Sequence, residues 1–219
     1  MLALFSHGYA QAEISALPPR SLGDMSTPRH RHTAQATWRT SLNPDHPSPS
    51  RGLSYPLALR LIAIYSRRRD TIHDATADAT LAAAAATLSR GYRTRPDPDG
   101  APAALVITAH DPTSSPAGPG LAELAAQVGD GGCLVAVVPA HRGADRGPIL
   151  AELTAAGLLP IHHIQAITDP AGATGDRFTY HTPDPQTSHE PGAPTEPTAV
   201  TSCWLVVATA PHLEGGNDA

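Results

Sequence analysis

The stretch Tyr55 to Arg95, YPLALRLIAIYSRRRDTIHDATADATLAAAAATLSRGYRTR, most limits what this chain can fold into. Leu57, Leu61, Ile62 and Tyr65, with Leu59 beside them, recur at helical spacing and predict an amphipathic helix. Arg67 to Arg69 form a polar turn, Thr71 to Ala75 reads as a buried strand ending about Asp74, and the alanine-rich run Ala79 to Ser89 reads as a second helix. A strand whose C-terminal end runs straight into a helix N-terminus opens a nucleotide-binding α/β sheet, and the turn between them is its ligand cradle. Here the cradle is Asp74-Ala75-Thr76-Ala77-Asp78-Ala79-Thr80, and it contains no glycine.

The next strand, Ala104 to Ala109, follows too soon for a complete crossover. Residues 90–103 contain Gly91, Pro96, Pro98, Gly100 and Pro102, and leave room for one edge strand at Tyr92 to Arg95 but no further helix and strand. The sheet is therefore expected to be truncated on one side. Beyond it come helix Leu121 to Val128, a turn Gly129 to Gly132 and strand Cys133 to Val138. Helix Pro148 to Ala156 has proline at its first turn and Gly157 after its end. Strand Ile161 to Thr168, a Pro-, Thr- and His-rich insertion Asp169 to Thr201, and strand Cys203 to Thr209 complete the order. This alternation predicts an α/β, Rossmann-like domain: a mostly parallel sheet with helices on both faces and one antiparallel strand.

A chain of 219 residues has room for one such domain with tails. Residues 1–50, rich in Pro, Ser, Arg and His, are expected to be a disordered basic region in which only Trp38 stands out. The domain is placed at 51–211, with 169–201 a disordered or mobile insertion and 212–219 a tail. Met25 opens a segment that would serve equally well as a start. The net charge of -5 hides an asymmetry: residues 1–70 carry nine arginines against four acids, and the remainder six against sixteen. Such an arm suits nucleic acid or an acidic partner. The absence of lysine looks like coding bias. Cys133 and Cys203 lie in apolar runs and read as packed thiols in a reducing cytoplasm, and no apolar run approaches the length of a membrane span.

In its order of elements the chain resembles class I S-adenosylmethionine-dependent methyltransferases, most closely the N4-cytosine and N6-adenine amino-methyltransferases of DNA. That family has a turn ending in Gly-Asp, then a strand and an Asp-Pro-x-x-Gly-x-Gly-Thr loop. Here Tyr65-Ser66-Arg67-Arg68-Arg69-Asp70 is similar to the turn, Thr71-Ile72-His73 to the strand, and Asp74 to the aspartate opening the loop. Leu88-Ser89-Arg90-Gly91 is similar to the close of the following helix. Leu105 to Thr108 is similar to the strand before the catalytic Ser/Asn/Asp-Pro-Pro-Tyr loop, Gly131 to Val135 to a later strand and Trp204 to Val207 to the last. His46-Pro47 stands about three residues upstream of where the family's His-Pro element would fall. The resemblance implies S-adenosylmethionine at Asp74, Ala75, Thr76, Ala77, Asp78 and Thr80, and methyl transfer to an exocyclic amine at Ala109, His110, Asp111 and Pro112.

The departures fall where the chemistry should be. Asp78 and Thr80 stand at the two glycine positions, where a Cβ obstructs close approach of backbone to ligand. No acid ends the edge strand to hold ribose hydroxyls, with Asp97 and Asp99 the nearest. No aromatic follows Asp111-Pro112 to stack on a flipped base. Two functions thus stand side by side: a methyltransferase, or a non-catalytic relative that binds nucleic acid or protein through its arginine-rich N-terminal region.

Other constellations have plainer readings. Asp74, His110, Asp111 and His141, with Asp78, Arg142 and Asp145, are expected at one sheet edge, but no paired ligand motif makes them a metal site. His162-His163 sits in an apolar strand and reads as structural, one ring in the core and one out. Phe178 and Tyr180 are placed in a loop beside the ligand edge, where they would pin the loop to the body or stack on a base.

Overall fold

The computed structural model describes residues 33–43, 45, 53–97, 101–111, 119–140, 146–170, 175–181 and 201–212. Within them lie β1 (Ala34–Ser41), α1 (Tyr55–Tyr65), β2 (Thr71–Asp74), α2 (Ala79–Thr87), β3 (Gly91–Arg93), β4 (Ala103–Ala109), α3 (Leu121–Ala125), β5 (Val128–Pro139), α4 (Gly147–Ala155), β6 (Leu159–Asp169), β7 (Arg177–His181) and β8 (Thr201–Thr209). The strands form one sheet in the order β3-β2-β4-β5-β8-β6-β1-β7. Pairings among β3, β2, β4 and β5, and between β1 and β6, are parallel, while β8 and β7 run against their neighbours. The expected Rossmann-like α/β architecture is present, with β8 as its antiparallel late strand.

Helices cover both faces, and strand alternation decides which residues meet which helix. On one face Leu57, Leu61 and Ile62 of α1 and Leu81, Ala84 and Ala85 of α2 pack on Ile72, Leu105, Ile107, Val135, Val137, Leu205 and Val207. On the other, Leu121 and Leu124 of α3 and Ile149 and Leu153 of α4 pack on Val106, Leu134, Ala136, Val138, Val206 and Ala208. Small side chains on α2 allow close approach without loss of helix propensity. Pro56 starts α1, and Ser66 ends it by donating its hydroxyl to the Ile62 carbonyl at 2.6 Å.

β3 has only three residues and forms one edge of the sheet, and no helix appears among the described residues between it and β4. The truncated side is therefore present as expected. The Gly129–Gly132 segment is not a turn before the strand but an irregularity inside β5, where the register passes from Ala103↔Val128 to Leu105↔Cys133. A Cβ at Gly132 would stand 2.8 Å from the Gly129 carbonyl oxygen and 2.9 Å from that of Ala104, so only glycine fits.

Two boundaries require correction. β1 lies in the region expected to be disordered; its alternation buries Ala36, Trp38 and Thr40 while Gln35, Thr37 and Arg39 face away. The folded domain thus includes residues from Ala34 rather than starting at 51. β7 lies within the stretch 169–201 and pairs antiparallel with β1, placing Phe178 opposite Trp38. Their rings meet edge to face at 5.8 Å, and the Arg60 guanidinium lies 4.5 Å from the Phe178 ring centre. Phe178 and Tyr180 therefore belong to the far lateral edge of the sheet, not to a loop beside the cradle. Residues 1–32, His46-Pro47 and 182–200 lie outside the described residues.

Candidate functional site

The C-terminal end of β2 carries the cradle. Asp74 is fully buried, yet its carboxylate is surrounded by donors. Oδ1 accepts from the Thr76 backbone N–H at 2.8 Å and the Thr76 hydroxyl at 2.6 Å, and Oδ2 accepts from the Asp78 N–H at 2.8 Å and the Tyr92 hydroxyl at 2.7 Å. A buried carboxylate is tolerated only when hydrogen bonds replace its lost hydration, and here four do so. Tyr92 comes from β3, where pairing with Ile72 puts its ring on the same face as Asp74. Burial, then the hydrogen bond to Asp74 and the nearby charges of Asp74 and Asp78, push the Tyr92 hydroxyl above its ordinary range. It therefore remains a proton donor at neutral pH.

The remainder of the turn closes on itself. Ala75 donates its N–H to the Ile107 carbonyl at 2.8 Å, tying the cradle to β4. Ala77 has φ +54°, a left-handed conformation that glycine adopts without cost. Asp78 caps α2: its Oδ1 accepts from the Thr80 N–H at 2.8 Å. A carboxylate at a helix N-terminus satisfies an orphan donor and complements the helix dipole. Asp78 is 4% exposed and Thr80 fully buried, so both side chains fill the interior of the turn.

S-adenosylmethionine, the cofactor that the resemblance implies, can be tested against this geometry. A cradle for its methionine end needs free backbone donors at the helix start and bare backbone beneath the ligand. Here the Thr80 N–H is taken by Asp78, the Thr76 and Asp78 N–H groups by Asp74, and the Asp78 and Thr80 side chains fill the turn where the resemblance would place glycines. The buried Asp78 carboxylate would also face the cofactor's own carboxylate. The residues present do not fit the group. Asp97 does not stand in for the ribose-binding acid: it is exposed and lies 3.9 Å from Arg93 as an ion pair.

β2 and β4 are neighbours, with Asp74 opposite Ile107, so Ala109 and the residues after it emerge at the same edge as the cradle. Ala109 ends β4, and the His110 N–H donates to the Val137 carbonyl at 2.9 Å. His110 and Asp111 are half-buried. Pro112, Asp99, His141, Arg142 and Asp145 lie outside the described residues. Among the described residues, no three His, Cys, Asp or Glu side chains gather in a way that could hold a metal ion.

His73, His162, His163 and the two cysteines are packed away from solvent or half-buried. His162 pairs its Nδ1 with the Tyr65 hydroxyl at 2.9 Å, and burial lowers its pKa. His163 points to the opposite face, where burial and then the Arg146 charge push it down to about 4. Burial, followed by the Arg93 charge, also lowers His73. Burial raises both thiols, Cys203 to about 12, so they are packed and unreactive. Tyr92 was not singled out in the sequence as part of the cradle, because its contribution depends on the β2–β3 register. No described helix is long and apolar enough to cross a membrane.

No protein-family model matches the chain, and no curated protein matches its sequence. Among solved structures it is similar to a precorrin-6y C5,15-methyltransferase from Geobacter metallireducens GS-15, at 9% sequence identity and a TM-score of 0.45, over 78% of this chain and 98% of that one.

Proposed function

We propose that this chain is a non-catalytic binding module derived from a DNA amino-methyltransferase-type domain, in which the cofactor loop has become a structural turn. One observation carries this reading: Asp74, Asp78 and Tyr92 consume, within the protein, the donors and the space that S-adenosylmethionine would need. A loop built to bind a ligand leaves its backbone donors pre-organised but unpaired, whereas here the Thr76, Asp78 and Thr80 N–H groups are taken by the Asp74 and Asp78 carboxylates. The competing reading, a methyltransferase using Asp74 to Thr80 for the cofactor and Ala109 to Pro112 for the amine, draws support from the shared edge of β2 and β4. The closed turn weighs more, because binding would have to break hydrogen bonds to a buried carboxylate.

The partner on this reading is nucleic acid, for which the arginine-rich first 70 residues supply the charge. Calorimetric titration of the full chain with S-adenosylmethionine and with S-adenosylhomocysteine tests the proposal. No heat is expected at high ligand concentration from protein shown to be folded by its circular dichroism. Binding at micromolar affinity that disappears in Asp74→Ala would overturn it in favour of the enzyme.

A further inference from the structure

The turn joining α1 to β2 presents three consecutive exposed arginines, Arg67, Arg68 and Arg69. Five other arginines of the described chain are engaged: Arg39 with Asp169 at 3.4 Å, Arg60 with Phe178, Arg90 with Ser66 and Leu88, Arg93 with Asp97 and Arg146 with Trp204, while Arg95 is exposed like those of the turn but stands alone. The three guanidinium groups of the turn have no carboxylate partner among the described residues. Asp70, the adjacent acid, uses Oδ2 to accept the Arg67 backbone N–H at 2.6 Å instead.

The backbone beneath them is held in place. Arg69 N–H donates to the Ser89 carbonyl at 3.0 Å, Asp70 N–H to that of Arg67 at 3.1 Å, and Gly91 N–H to that of Asp70 at 2.8 Å. Arg69 itself has φ +73°, a conformation costly for any side chain and free for glycine. The fold therefore tolerates local strain while displaying a third cation at this point. Strain retained at an exposed, charged turn is a sign of a functional surface.

We propose that the Arg67–Arg69 turn is a contact site for the phosphodiester backbone of a nucleic acid. The proposal deepens the binding-module reading and rests on it for the class of partner. Exposed guanidinium groups on a held backbone, with no carboxylate partner among the described residues, suit phosphate oxygens, which they meet through paired donors. Membranes are less well matched, since lipid-binding basic segments carry about four to eight cations. The turn leads into the N-terminal end of β2, so it works at the sheet edge opposite Asp74 and independently of the cradle.

The test is fluorescence anisotropy of the full chain with a mixed-sequence DNA duplex and with a single-stranded RNA over a salt series. Each lost phosphate contact flattens the slope of log affinity against log salt by roughly 0.9 for duplex or 0.7 for a single strand. Changing all three arginines to glutamine is expected to remove about three such increments with whichever nucleic acid is the partner. Arg69→Gly is expected to remove one increment while the melting temperature holds or rises, which separates lost charge from lost fold. Unchanged slopes in both variants, with binding retained, overturn this site but leave the binding-module reading standing. Failure of the unaltered chain to bind either nucleic acid overturns both the site and the choice of partner, as does turn-dependent binding to phosphatidylserine vesicles alone.

Discussion

Tyr92 donates its hydroxyl to the buried Asp74 carboxylate at 2.7 Å, linking the edge strand β3 to the end of the more central strand β2. This bond makes the truncated side of the sheet part of the cradle's own support. Tyr92→Phe removes one of four donors from a buried charge and is expected to cost about 1.5–3 kcal/mol. Urea denaturation of the two proteins checks it; a loss below ~0.5 kcal/mol would mean that water replaces the tyrosine.

Asp78 and Thr80 both fill the turn, and Asp78 takes up the Thr80 N–H. The double substitution Asp78→Gly, Thr80→Gly should free the Thr80-position N–H and bare the backbone, so weak S-adenosylhomocysteine binding is expected to appear in calorimetry where the unaltered chain gives none. The cap's loss to glycine should cost a few tenths of a kcal/mol. Absence of binding in a folded double variant would place the block elsewhere at this edge.

Trp38 is fully buried on a strand outside the expected domain boundary. Trp38→Ala is expected to lower stability by about 3–5 kcal/mol, as for other large aromatic truncations. Thermal or chemical denaturation measures it, and a near-neutral outcome would place β1 outside the cooperative core.

Arg69 sits at φ +73°, where a side chain costs ~1–2 kcal/mol and glycine costs ~0.5–1 kcal/mol in lost unfolded-state freedom. Arg69→Gly should therefore raise stability by roughly 0.5 kcal/mol. A differential scanning measurement of the melting temperature checks the sign.

His163 is held to about 4 by burial and the Arg146 charge, and burial also lowers His73. Their folded values lie below the unfolded value near 6.5, so the unfolded chain binds more protons between the two. The neutral rings are fully compatible with the fold above about pH 6.5, and stability falls as pH drops from there towards 4. His163→Gln should give a shallower fall in melting temperature over that window; identical slopes would exclude His163 as a contributor.

Much of the architecture was legible from local pattern. The Leu57, Leu61 and Ile62 spacing located α1, the alanine run located α2, and the shortness of residues 90–103 foretold a truncated edge. β1 escaped because Ala34–Ser41 alternates alanine, tryptophan and threonine against polar residues, a weak apolar signal inside a polar, arginine-bearing region. β7 escaped for the same reason: its exposed RFTYH becomes a strand by pairing with β1, some 140 residues earlier, and a contact over that separation leaves no local periodicity.

The sequence by itself determined which residues form the cradle turn, because a strand, an aspartate and a helix start are adjacent in the chain. It also determined that Asp78 and Thr80 stand where the resemblance would place glycines. Tertiary structure alone decided what those residues do. The β2–β3 register aims Tyr92 at Asp74, and burial commits Asp78 to the α2 N-terminus. The Asp74 and Asp78 bonds that close the turn are local in the chain, whereas the Tyr92 bond exists only once β2 and β3 are aligned.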